Sequence, residues 1–254
     1  LSSYGDLDLG HTRLSIIGIE DGQQPMQLDK ESISLTFNGE IYNYIELQDK
    51  LREVGRDTNT SSDTEVLLEY YSVFGIDRLL EDVNGMFAFV IHDKLHDTML
   101  LVRDRLGIKP LFYAVENDGI SFCSEITPLK DMLGIENLTI DPVAVSMYFN
   151  TFYIASPNTI WNEVRSLEPG QMLTYDLNTG NSELKTYWSL TPQPRDNHSL
   201  DEFDDLLKDA VRLRMRSDVP YGAYLSGGID SSLVVKHMSS IANKCDTFTA
   251  EIKD

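Results

Sequence analysis

The sequence of 254 residues holds only 2 cysteines, Cys123 and Cys245. That is too few for a disulfide framework, and neither stands at a metal-ligand spacing. Both are expected to be buried structural thiols. No apolar run approaches the roughly 18 residues that cross a bilayer, and no basic-then-apolar secretion signal opens the chain. These absences fit a reducing cytoplasm. Basic residues are scarce too, with 21 Lys and Arg against 41 Asp and Glu and a net charge of −20. Such a surface repels phosphate backbones and acidic headgroups, so neither nucleic acid nor a membrane is an expected partner. The histidines His11, His92, His96, His198 and His237 show no metal-ligand spacing. His92 and His96 flank a polar turn between strands, where solvated side chains are expected. The first residue is Leu1 and the last is Asp254, just after the strand-like "DTFTAEI", and both ends read as cuts in a longer chain.

What is present is the composition of a globular protein, 41% hydrophobic and 24% charged. "SISLTF" (32–37) alternates polar and apolar with the period of a half-buried strand. "MFAFVIHD" and "TMLLVRD" follow as a pair, "PLFYAV" and "GISFCSE" as another, and "QMLTYDLNTGNSELKTYW" as a hairpin turning at Asn178-Thr179-Gly180. Helical stretches are expected at 43–54, 63–74 and 142–150. Antiparallel strands with helices packed on them predict a layered α+β domain over residues 1–190. The proline-bearing "LTPQPRDNH" (190–198) reads as a linker with a boundary near residue 195. Beyond it Ser199 caps a helix with Glu202 three residues later, and Leu200, Phe203, Leu206, Leu207, Ala210 and Val211 share one helical face. Strand 221–225, a glycine loop, a helix from Ser231 and strand 247–252 make a βαβ unit, the start of a parallel α/β domain over 199–254.

Two groups of residues carry chemistry. In the loop "SGGIDSS" (226–232), Gly227 and Gly228 let backbone N–H groups converge on an anion. The helix start that follows adds unpaired amides and a positive dipole end. Ser226, Ser231 and Ser232 supply hydroxyl donors. A carboxylate at Asp230 would repel phosphate unless a cation lay between them, which predicts magnesium. Neither of the common phosphate-loop patterns is present. The plainer reading is a Ser/Gly turn with Asp230 and Ser232 capping a helix. In the first domain, Arg13 could hold an α-carboxylate through a two-point contact. Glu40 and Asp63 could hold an α-ammonium, and the Asn38 amide with the Gly39 N–H could stabilise an oxyanion. Together they describe a site for glutamine. Taken singly they read as a surface arginine, an Asn-Gly turn and a helix-capping aspartate.

These stretches also resemble one family, the glutamine-hydrolysing asparagine synthetases, from Gly10 to about Ile252. "RLSI" resembles that family's glutamine-binding segment, "NGEIYN" its oxyanion hole and "SDTE" its ammonium partner. "NGMFAFVIHD", "RDRLGIKPLFY" and "SEITPLK" match as well, and "DVPYGAYLSGGIDSSLV" resembles its pyrophosphate loop. The resemblance implies a class II, N-terminal-nucleophile glutaminase domain followed by the start of an ATP-pyrophosphatase domain. It places glutamine at Arg13, Leu14, Ser15, Ile16, Ile17, Asn38, Gly39, Glu40 and Asp63. ATP falls on Leu225, Ser226, Gly227, Gly228, Asp230, Ser231 and Ser232, with Mg2+ at Asp230. It implies a cytoplasmic enzyme that makes asparagine, AMP and pyrophosphate from aspartate, glutamine and ATP, and leaves room for a homodimer of the full-length enzyme. The family's nucleophile is an N-terminal cysteine, and neither Cys123 nor Cys245 could present a free α-amine. Taken by itself the chain is therefore expected to bind ligands weakly and not to catalyse. A sibling amidotransferase or β-lactam synthetase with another acceptor, or a silent binding homologue, are the alternatives.

Overall fold

The computed structural model describes residues 2–4, 7–28, 32–117, 119–192, 199–242 and 244–251. In chain order the strands and helices are β1 (Ser2–Tyr4), β2 (Leu7–Leu9), β3 (Met26–Leu28), β4 (Ile33–Ile41), α1 (Tyr44–Glu53), α2 (Asp63–Asp82), β5 (Gly85–Asp93) and β6 (Thr98–Arg103). They continue with β7 (Phe112–Glu116), β8 (Gly119–Cys123), α3 (Ile126–Leu133), α4 (Pro142–Thr151), β9 (Arg165–Ser166), β10 (Gln171–Asp176) and β11 (Ser182–Thr186). Last come α5 (Leu200–Arg214), β12 (Gly222–Tyr224), α6 (Ile229–Ile241) and β13 (Asp246–Phe248). The chain divides into two units. One is Leu1–Leu14 with Asp21–Leu190; the other is Ser15–Glu20 with Thr191–Asp254.

In the first unit, period-2 alternation decides which face each strand residue takes. Leu35, Phe37 and Ile41 of β4 enter a core with Phe87, Phe89 and Ile91 of β5, closed by Leu47 and Leu51 of α1 and Val66, Leu67 and Tyr70 of α2. Ala88 and Val90 point the other way, into a second core with Met99, Leu101, Leu173 and Tyr175 of the same sheet. Tyr113 of a smaller sheet meets them, with Leu111 and Leu167 from the residues next to its strands. Leu129 and Leu133 of α3 cover that sheet's far side with Ala114 and Val164. The result is four layers, helix, sheet, sheet, helix. The larger sheet has strand order β11-β10-β6-β5-β4-β3 and the smaller β8-β7-β9, and every pairing in them is antiparallel.

The expected strands are present, with three differences. β4 runs on through Ile41, so Asn38, Gly39 and Glu40 lie near the end of the strand, and the turn considered for Asn38-Gly39 taken singly is not formed. α2 starts at Asp63 as expected and breaks at Gly75, where φ is 77°, but a helical segment continues to Asp82. The hairpin β1–β2, the strand β3 and the helix α3 were not expected from the sequence, because each is too short for its apolar residues to establish a period. The "RDRLGIKPLFY" segment is held by two residues. Buried Asp104 accepts from the N–H groups of Phe87, Leu106, Ile108 and Lys109, and Arg103 donates to the carbonyls of Gly107, Lys109 and Leu167.

The second unit has β12 and β13 paired in parallel, Gly222 opposite Asp246 and Tyr224 opposite Phe248, with α6 as the crossover. Ser199 caps α5, its hydroxyl accepting from the N–H of Glu202. The apolar face of α5 is only partly covered. Val211 is buried, while Leu200, Phe203 and Leu206 are more than half exposed. Residues 193–198, which hold most of the expected linker, its boundary and His198, lie outside the described residues. The strand expected at 247–252 is shorter: β13 ends at Phe248, and residues 249–251 are not strand.

Both cysteines are half-buried, not buried as expected. His92 also departs from expectation: it is buried on β5, because the polar turn begins only after Asp93. His96 does sit on that turn, where its Nδ1 lies 2.7 Å from Asp93. Among the described residues no group of three or more His, Cys, Asp and Glu could hold a metal ion, and no helix is long and apolar enough to cross a membrane.

Candidate active site in the first unit and glycine loop in the second

β4 carries the centre of the site. Thr36 and Asn38 project from the face opposite the helix-side core and line a cavity of about 490 Å3. The same cavity is bounded by His11, Ala88, Val90, Phe122, Cys123, Ser124 and Glu125. The Asn38 amide donates to Ser124 Oγ at 3.3 Å, a long bond that a better-placed acceptor could displace. Gly39 follows because nothing larger fits. A Cβ there would come within 2.1 Å of the Met86 carbonyl oxygen and 2.8 Å of Phe87 Cα. Gly85 repeats the constraint from the opposite strand, where a Cβ would lie 2.4 Å from the Glu40 carbonyl. Asn43 then ties the strand ends, its Oδ1 accepting from Asn84 N–H at 2.8 Å and its Nδ2 donating to the Asp82 carbonyl at 2.9 Å. In "NGEIYN" the first asparagine faces a cavity and the last is a structural link.

Asp63 is 4% exposed at the first turn of α2, and the cap of that helix is Ser62, whose hydroxyl accepts from Thr64 N–H at 3.2 Å. The capping role considered for Asp63 therefore belongs to its neighbour. Asp63 Oδ2 accepts from Ile41 N–H at 3.0 Å, which sets it beside the backbone next to Glu40, itself buried. Burial lifts the Asp63 carboxyl to about 6, against the pull of the Ile41 and Thr64 amides and of the Arg13 guanidinium. Burial also holds His11 below its usual value, and Arg13 adds to that by charge. The structure thus brings the Arg13 charge to bear on Asp63 and sets Asp63 at the end of the strand that bears Asn38, Gly39 and Glu40. Leu14 is 86% exposed. Ser15, Ile16 and Ile17 group with the second unit.

Sequence reasoning missed two residues that hold these elements in place. Gln24 Oε1 accepts from Phe37 N–H at 2.6 Å and its Nε2 donates to Thr64 Oγ1 at 3.4 Å, so it spans β4 and the start of α2. Asp21 accepts from Ser61 N–H at 2.8 Å. A glutamine and an aspartate in a turn-rich stretch carry no periodic signal, and nothing in the sequence marks them out.

The glycine loop of the second unit is held at both ends. Leu225 N–H donates to the Phe248 carbonyl at 2.9 Å, and Thr249 Oγ1 donates to the Leu225 carbonyl at 2.7 Å. Gly227 has φ 82° and open space where a Cβ would stand. Ser226 Oγ and Ser231 Oγ lie 3.1 Å apart, and the hydroxyls of Ser231 and Ser232 donate to the Gly228 carbonyl at 3.2 and 2.7 Å. The helix starts at Ile229, earlier than expected, and its N-cap is Gly228 with no side-chain capping bond. Asp230 therefore sits exposed in the first turn without capping it, and the plainer reading of that residue loses its basis.

The family model for the glutamine amidotransferase domain matches residues 2–188. The chain belongs to the glutamine amidotransferase domain family. The family model for asparagine synthase matches residues 202–254. "Asparagine synthetase [glutamine-hydrolyzing] 1" of Bacillus subtilis (strain 168) is 39% identical over 94% of the chain and 38% of its own length. "Asparagine synthetase [glutamine-hydrolyzing] 3" of the same organism is 34% identical over 89% of the chain and 37% of its own length. A relative from Methanocaldococcus jannaschii is 39% identical over 96% of the chain and 50% of its own length. The chain thus spans half or less of these curated relatives. A solved structure of the allosteric regulatory enzyme of purine biosynthesis has a TM-score of 0.51 at 19% identity, covering 94% of this chain and 50% of that one. At that identity it speaks to the fold alone.

Proposed function

We propose that the first unit binds glutamine for hydrolysis and that the second belongs to the ATP site of a glutamine-hydrolysing asparagine synthetase. The observation that carries the glutamine reading is Asp63. A carboxylate buried at the end of the cavity-lining strand, under the charge of Arg13 and lifted to about 6, is costly unless a cationic group arrives to meet it. The α-ammonium of an amino acid is such a group. Arg13 receives the α-carboxylate through a two-point contact. Asn38, with the backbone N–H of Gly39, receives the negative charge that develops on the carboxamide oxygen. The attacking thiol is the N-terminal cysteine implied by the family resemblance.

In the second unit, Ser226, Gly227 and Gly228 and the first-turn amides of α6 would receive pyrophosphate oxygens, with Leu225 toward the nucleotide. One exposed carboxylate, Asp230, beside uncapped amides suits magnesium, which takes most of its other ligands from phosphate and water. Bound there, the ion would neutralise charge on the leaving pyrophosphate. Aspartate is the acceptor supported by the names of the relatives.

Calorimetric titration of the chain with L-glutamine at pH 7.5 tests the reading. Saturable binding that D-glutamine and L-glutamate do not reproduce is expected. No heat of binding from L-glutamine, or equal binding of all three, would remove the glutamine assignment.

A further inference from the structure

Ser124 stands between β8 and α3, one residue before the Glu125 that begins the helix. Elsewhere in the chain a serine near a helix start serves that helix: Ser62 Oγ accepts from Thr64 N–H, and Ser199 Oγ from Glu202 N–H. α3 differs, because its N-cap Glu125 makes no side-chain capping bond. The Ser124 hydroxyl turns instead to the Asn38 amide, 86 residues away in the chain, and accepts from Nδ2 at 3.3 Å. Both residues are half-buried, line the same cavity and belong to the first unit. An amide nitrogen carries two hydrogens, so this bond occupies one and leaves the other for an acceptor in the cavity.

We propose that Ser124 is the positioning residue of the Asn38 amide in the glutamine site. The proposal rests on the glutamine reading above, in which Asn38 donates to the carboxamide oxygen as charge develops there. An asparagine amide has two ends of similar size and opposite polarity. Its nitrogen end stabilises an oxyanion and its oxygen end repels one, so such a donor works only when its orientation is fixed before the charge forms. Ser124 holds the nitrogen end. Without that hydroxyl the amide rotates, and for part of the time it turns its oxygen to the cavity. At 3.3 Å the bond is also weak enough to yield at little cost when a charged acceptor draws the amide toward itself. A plain tie between the two sheets would serve stability and leave the rate of the chemical step alone.

The test is glutamate release from L-glutamine by the full-length protein that carries this chain. Both kcat and KM are measured for wild type, Ser124→Ala, Ser124→Thr, Asn38→Ala and the Asn38→Ala, Ser124→Ala double variant. Ser124→Ala is expected to lower kcat roughly three- to tenfold, the range of one neutral hydrogen bond. Its KM is expected to stay within about twofold of wild type, because the contacts that bind glutamine in its ground state are untouched. Ser124→Thr keeps a hydroxyl and is expected to hold kcat within about twofold of wild type. In the Asn38→Ala background the change Ser124→Ala is expected to have no further effect, since no amide is left to orient. An unchanged kcat in Ser124→Ala, a loss that falls on KM, a Ser124→Thr protein as slow as Ser124→Ala, or a full second loss on top of Asn38→Ala would overturn the proposal while leaving the glutamine reading intact. A wild type that releases no glutamate would overturn both.

Discussion

Replacing Asp63 by asparagine should make the first unit more stable at neutral pH and abolish its affinity for glutamine. An aspartate in the unfolded chain ionises near 3.8, whereas burial holds Asp63 at about 6 in the fold. Between those values the folded chain binds more protons than the unfolded one, so stability falls as pH rises through the window. Below 3.8 the penalty is absent, and above 6 it is complete. At 1.36 kcal/mol per pH unit the full penalty is about 3 kcal/mol, an upper figure. Asparagine does not ionise and can still accept from Ile41 N–H, so Asp63→Asn should recover about 1–3 kcal/mol at pH 7.5 and nothing at pH 3.5. Urea unfolding followed by tryptophan emission reads this directly, because Trp161 and Trp188 both belong to the first unit. A gain in stability joined to a loss of binding is the mark of a residue kept for function. A variant no more stable than wild type at pH 7.5, or one whose advantage persists at pH 3.5, would refute the reasoning.

Three further outcomes are expected. Gly39→Ala should destabilise the first unit by about 3 kcal/mol or more, since its Cβ meets backbone on the paired strand, whereas Gly119→Ala, with open space around it, should stay within about 0.5 kcal/mol of wild type; equal effects in urea melts would show that β4 and β5 do not approach as described. Arg13→Lys should weaken glutamine binding about tenfold in calorimetry, because an ammonium cannot copy the planar fork, and unchanged affinity would make Arg13 a surface residue. Asp230→Asn should lower the affinity for ATP in the presence of magnesium and change it little in the presence of chelator, and identical losses in both would place Asp230 away from the ion.

Much of the fold was legible in the sequence because its strands alternate cleanly. "SISLTF" and "MFAFVIHD" divide their apolar residues between two cores, and that division is what builds two stacked sheets. The reason for Gly39 was not legible, since Asn-Gly is a turn signal in isolation. Only the approach of Met86 and Phe87 explains a glycine in mid-strand. For the site, residue types and motif spacing named Arg13, Asn38, Glu40 and Asp63, but burial separates their roles. Asp63 looked like a cap, and the cap is Ser62, one residue earlier. Gln24 acts through a backbone group 13 residues away in sequence, the N–H of Phe37. No local pattern encodes such partners, so only the folded chain exposes them. The face of α5 was overcalled for the opposite reason: its spacing is helical, but periodicity says which residues share a side and not what covers them.

The choice of nitrogen source tests most directly the proposed role of Asn38, stabilising charge on the carboxamide of glutamine. In the full-length protein that carries this chain, pyrophosphate release from ATP and aspartate is measured with saturating glutamine and, separately, with saturating ammonium chloride. Asn38→Ala should lower the glutamine-dependent rate by about 10²–10³-fold and leave the ammonium-dependent rate at the wild-type value, because free ammonia does not pass through the carboxamide step. Equal losses with both nitrogen sources, or no loss with glutamine, would contradict the account.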